Sequence, residues 1–135
     1  MCTFVYLAST IPAPLIPPES STHLSVTPVD PADSEHRSLL RILSHHHLYF
    51  VSAHTGCGCG FQLEHPEYAE DPDDIQTSRL LLSRYLANLL KAGAHLQIYS
   101  CWAGDEHHPA RTHGSITSEA IAQHSFVERE LLDLG

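Results

Sequence analysis

The chain predicts an α/β fold: one domain with a mixed sheet of about five strands, held by a strand–helix–strand crossover over residues 48–102. Three observations carry this. Leu48 to Ala53 is a nearly all-apolar run, as a strand covered on both faces should be. A capped amphipathic helix follows, and then a second β-rich apolar run, Leu96 to Trp102. A chain of 135 residues with 42% hydrophobic composition suits a single domain, 1–135, with one real core.

The elements follow in order. Thr3 to Ala8 is β-branched and aromatic and reads as a first strand. Residues 11–21 hold Pro12, Pro14, Pro17 and Pro18, which cannot donate to a ladder, so this is a Pro-rich surface loop. Leu24 and Val26 alternate with polar residues in a short second strand. Asp33 is placed to cap a helix through Leu39, Leu40, Ile42 and Leu43. After strand 48–53 and a Gly-Cys loop, Asp71-Pro72-Asp73-Asp74 opens a long helix, with acids complementing the macrodipole. Its apolar stripe runs through Ile75, Leu82, Leu86, Leu89 and Leu90, and Lys91 and Gly93 end it. Beyond strand 96–102, Asp105, Glu106, His107, His108 and His113 occupy a loop. Ser118 to Gln123 forms one or two helical turns, and Phe126 to Leu134 alternates loosely and reads as an edge strand in preference to a terminal helix.

Charge narrows the partners. Seven Lys and Arg face sixteen Asp and Glu, a formal charge of −9. Phosphate backbones require cationic neutralisation, so no nucleic acid and no anionic membrane surface is expected. No apolar run reaches the length of a membrane span. The N-terminus carries no basic residue ahead of its apolar stretch, unlike an export signal. The expectation is a cytoplasmic protein whose partner is a small molecule or a protein the residues do not identify; homo-oligomerisation is compatible with everything above.

Four cysteines, Cys2, Cys57, Cys59 and Cys101, point to the working site. Without an export signal, clustered cysteines read as metal-binding or redox-active rather than as staples. Two parallel strands end on one sheet edge, and open α/β sheets bind ligands beyond the carboxyl ends of their strands. That rule brings Cys57, Cys59 and Cys101 together, and Cys2 joins them if the first strand runs antiparallel to the crossover strands. In the loop Thr55-Gly56-Cys57-Gly58-Cys59-Gly60, alternate glycines remove side-chain bulk and leave backbone N–H groups free to face an anion. A nucleophile elbow, a phosphate loop and a dinucleotide fingerprint are absent.

The leading expectation is a zinc site held by thiolates from Cys57, Cys59 and Cys101, with Cys2 or His54 completing a tetrahedron. Gly56, Gly58, Gly60, Trp102, Asp105, Glu106, His107 and His108 are the candidate pocket residues. Two other readings stay open. In one, Cys57 and Cys59 cycle between dithiol and disulfide. In the other, the cysteines are simply buried in a non-enzymatic protein.

The opening Met-Cys-Thr-Phe-Val-Tyr-Leu-Ala-Ser, the Thr55-Gly-Cys-Gly-Cys-Gly-Phe61 loop, the Cys101-Trp-Ala-Gly-Asp-Glu106 segment and the Phe126-Val-Glu-Arg-Glu-Leu end resemble a small uncharacterised bacterial family with no assigned activity. The resemblance spans the chain. It implies that Cys2, Cys57, Cys59, Cys101, Asp105 and Glu106 belong to the family's pattern, and it implies no substrate or cofactor.

Overall fold

The computed structural model describes residues 2–62 and 72–135. A single mixed sheet of six strands runs β1 (Thr3–Ser9), β2 (Leu24–Pro28), β3 (His47–Ala53), β4 (Leu96–Trp102), β5 (Thr112–Ser115) and β6 (Glu130–Leu134). Their order across the sheet is β2-β3-β1-β4-β6-β5. Among the described residues there are three α-helices, α1 (Ser34–Leu40), α2 (Pro72–Lys91) and α3 (Ser118–Ile121).

β1 pairs antiparallel with both β3 and β4, so β3 and β4 run the same way with β1 between them. The crossover through α2 therefore exists, but it is split: its strands are not neighbours. Among the described residues the one parallel neighbour pair is β5 with β6, which puts β6 inside the sheet rather than at the edge expected for it. The strand count is six rather than five because β5 was expected as loop; Thr-His-Gly-Ser is exposed along its whole length and carries no apolar period to announce it.

The pleat divides the core in two. Val5, Leu7, Val51, Leu96 and Ile98 face the stripe of α2, where Leu82, Leu86 and Leu89 are buried. Tyr6, Ala8, Leu48, Tyr99 and Cys101 face the other side, against Leu39 and Leu43. Each β1 residue thus chooses its layer by parity, the period-2 rule of a strand. Asp33 sits at the N-cap of α1 without a side-chain capping bond. The cap expected from Asp71 lies outside the described residues. Ser118–Ile121 is helical as expected, with the Thr117 side chain accepting from the Ala120 amide.

Candidate metal centre

β3 delivers the chain to the Gly-Cys loop at the sheet edge where β1 begins. The Cys57 carbonyl accepts the Ala53 N–H at 2.9 Å, and the Gly56 N–H donates to the Ala53 carbonyl at 3.0 Å, closing a tight turn. Gly56 has φ +80°, a left-handed backbone that favours glycine. A 3-10 turn, Gly58–Phe61, then lies flat against β1 and β3. At Gly58 the approach is so close that a Cβ would stand 2.6 Å from Val5 Cγ2 and 2.9 Å from the Thr3 carbonyl oxygen. The glycines therefore let two short side chains, Cys57 and Cys59, lie directly on the start of β1.

Because β1 runs antiparallel to β3 and β4, its first residues stand at the edge where those strands end. The sulfurs of Cys2, Cys57 and Cys59 all lie within 4.8 Å of one another. All four cysteines are free thiols. Cys57 and Cys59 are buried and Cys2 is exposed, so the group opens to solvent on one side. The Cys2 carbonyl accepts the Ala103 N–H at 2.9 Å, tying this terminus to the loop after β4.

The backbone donates to these sulfurs. The Thr3 N–H points at Cys59 Sγ at 3.2 Å. The Thr55 hydroxyl lies 3.7 Å from Cys57 Sγ, donates to the Cys57 carbonyl at 3.2 Å, and accepts the Gly60 N–H at 3.0 Å. Burial pushes the Cys57 thiol up, but bonds from the Cys59 backbone and from the Cys59, Thr55 and Cys2 side chains outweigh it, leaving Cys57 below its ordinary value. Burial pushes Cys59 up to about 11, against the Thr3 N–H and with the neighbouring Cys57 and Cys2. Of these two thiols, Cys57 therefore gives up its proton more readily.

Cys101 corrects an expectation. It lies at the same end of the sheet, opposite Phe4 on β1, but its parity turns it to the α1 side among Tyr6, Tyr99 and Leu131. It is fully buried and is not part of the three-sulfur group. Burial first, and then the charges of Glu106, Asp105 and Glu128, push its thiol up to about 12. Topology fixed the edge correctly; it could not fix the face, which one residue of register reverses.

His54 is likewise not brought into the sulfur group. Its Nδ1 is 3.2 Å from Ser78 Oγ on α2, and its ring packs against Gly60. Its buried Nε2 has no partner among the described residues. The other pocket candidates divide as well. Trp102 is exposed beside Thr3, its β1 partner. Glu106 is buried on the α1 side, where it accepts from Tyr6 Oη at 3.1 Å. The His107 and His108 ring centroids lie 4.1 Å apart with the planes tilted by 37°, and His108 Nε2 is 3.9 Å from Asp105. None of these belongs to the sulfur group.

A cleft of about 1090 Å³ is at the opposite end of the sheet, lined by Lys91, His95, Gln97 and Asp133 among others. It is remote from the thiols. No helix among the described residues is long and apolar enough to cross a membrane. No protein-family model, curated protein or solved structure matches this chain.

Three cysteines thus lie close enough to hold a metal ion. Sequence reasoning ranked Cys2 behind Cys101, placed Thr55 in the loop without a role, and missed Thr3 and Arg79. Arg79 left a signal: it takes the i+4 place after Ile75 on the apolar stripe, where a cation is unexpected.

Proposed function

We propose that the protein is a zinc-binding domain whose centre is the thiol trio Cys2, Cys57 and Cys59. The observation that carries this is the convergence of three sulfurs from two distant segments with N–H donors already aimed at them. Zinc–thiolate bonds of about 2.3 Å in a tetrahedron set sulfurs roughly 3.8 Å apart. Sulfurs already inside 4.8 Å need only a small contraction to reach that. Soft thiolates favour zinc, Cu(I) or iron–sulfur clusters over hard cations. N–H donors to metal-bound sulfur are the outer contacts that orient and tune such a site. Both sequence segments that supply the three thiols, Met-Cys-Thr and Thr-Gly-Cys-Gly-Cys-Gly, are among those that carry the family resemblance.

Binding converts thiols to thiolates and releases protons, Cys59 holding its proton more firmly than Cys57. Zinc affinity therefore weakens as pH falls. Cys59→Ser tests the reading. Purified without chelator, the wild type should carry zinc and lose thermal stability when a chelator strips it; Cys59→Ser should carry little zinc and ignore the chelator. A wild type that melts identically with and without chelator, at either metal content, contradicts the proposal.

A second reading has its own support. Cys57 and Cys59 are free thiols with their sulfurs within 4.8 Å of each other, and hydrogen bonds donated to Cys57 hold its thiol below the ordinary value, as in a dithiol pair with one ready nucleophile. In that case wild-type melting responds to reductant, not to chelator, and Cys59→Ser loses the response.

A further inference from the structure

Arg79 is only 1% exposed. Its Nε donates to the Ala122 carbonyl at 2.7 Å, Nη1 to the Phe61 carbonyl at 3.0 Å and Nη2 to the His124 carbonyl at 2.8 Å. Among the described residues no carboxylate lies within ion-pair distance of it. Taking a cation out of water costs several kcal/mol, and burial pulls its pKa down. Packing alone would favour Leu or Met at this place on the stripe of α2.

The three carbonyls belong to two separate segments. Phe61 closes the 3-10 turn that carries Cys59; Ala122 and His124 follow α3. Gln62 repeats the link one residue on: its Nε2 donates to the Phe126 carbonyl at 2.5 Å and its Oε1 accepts the Phe126 N–H at 2.9 Å. The turn is thus held from its sulfur side by β1 and β3, and from behind by Arg79 and Gln62.

We propose that Arg79 is the positioning residue of the thiol centre, with Gln62 as its second tie. Its guanidinium locks the turn at the height from which Cys57 and Cys59 reach Cys2. This rests on the metal reading above. Arg79 acts through the Phe61 carbonyl rather than by charge on the sulfurs; the groups that perturb Cys57 and Cys59 most are each other, Cys2, Thr3 and Thr55. A planar fork can hold three carbonyls from two segments at once, whereas a lysine ammonium is a compact point charge on a flexible stem.

The test measures zinc affinity, by competition with a chromophoric chelator, for wild type, Arg79→Lys and Gln62→Leu, together with the visible spectrum of each protein saturated with Co(II). Each variant should bind zinc about 10- to 100-fold more weakly, and its Co(II)–thiolate charge-transfer band should shift or lose intensity. Variants that fold less stably but keep wild-type affinity and an unchanged cobalt spectrum would show a merely structural Arg79 and overturn the proposal. Wild-type affinity in Arg79→Lys alone would assign the effect to charge and overturn it too. If Arg79→Lys does not fold, Gln62→Leu decides: wild-type affinity and spectrum there end the proposal. A wild type that takes up neither zinc nor cobalt removes the metal reading itself, a result distinct from weak variants beside a loaded wild type.

Discussion

Cys59 and Cys101 are both buried thiols with raised proton affinity, yet their surroundings differ. Cys59 lies 3.2 Å from the Thr3 amide within a three-sulfur group; Cys101 packs among Tyr6, Tyr99 and Leu131 on the other side of the sheet. Cys101→Ser should therefore keep full metal content and cost about 1–3 kcal/mol, the penalty of a hydroxyl where a thiol packed. Denaturant melts paired with metal analysis check this; loss of metal in Cys101→Ser would place it in the centre after all. The edge shared by these residues was legible in the sequence from strand order alone. The face was not, because parity depends on where each strand enters the ladder, and Phe4 opposite Cys101 is a register only the pairing reveals. Arg79 was legible as an anomaly on an apolar stripe, but its carbonyl partners lie 18 to 45 residues away and no local pattern announces them.

The element that makes the centre is the turn Gly58–Phe61, and its tolerance for side chains is set by β1 beneath it. In Gly58→Ala the new methyl would meet Val5 Cγ2 at 2.6 Å and the Thr3 carbonyl at 2.9 Å, so the turn or the strand must shift. Overpacking of this kind costs about 1–3 kcal/mol. Since Thr3 also donates to Cys59, the same shift should weaken metal binding. Calorimetric titration with zinc measures this, and unchanged affinity would show that the turn adapts without moving the sulfurs. Long elements with a clear period, α2 and the apolar strands β3 and β4, were readable from sequence. Three elements were not: β5, four exposed residues without an apolar period, stabilised by parallel pairing with β6; the short 3-10 turn Pro18–Ser20 inside the Pro-rich loop; and the 3-10 turn Gly58–Phe61, which looks like loop because its glycines serve close packing.

At the scale of the whole molecule, one sheet with two differently occupied faces explains both the stability and its pH limits. Cys59 and Cys101, pushed up to about 11 and about 12, keep their protons in the metal-free fold. For such groups the stabilising contribution is complete below the unfolded thiol value of 9.0 and disappears as pH rises through the folded values. Buried Tyr6 and Tyr99, also pushed up, act in the same direction. Metal-free protein should therefore lose stability from pH 9 upward, and Cys101→Ser should flatten the slope. Denaturant midpoints across that range provide the check; a curve level to pH 11 would contradict the burial of these thiols. The formal charge of −9 carries its own expectation, that an oligonucleotide is not retained at physiological salt. The central claim is that Cys2, Cys57 and Cys59 together hold one zinc ion. Zinc-edge X-ray absorption of untagged protein prepared without chelator tests it most directly. The account predicts one zinc per chain with a shell of three sulfurs at about 2.3 Å, reduced in sulfur count by Cys2→Ser and unaffected by Cys101→Ser. A protein without metal, or a shell of nitrogen and oxygen alone, would contradict it.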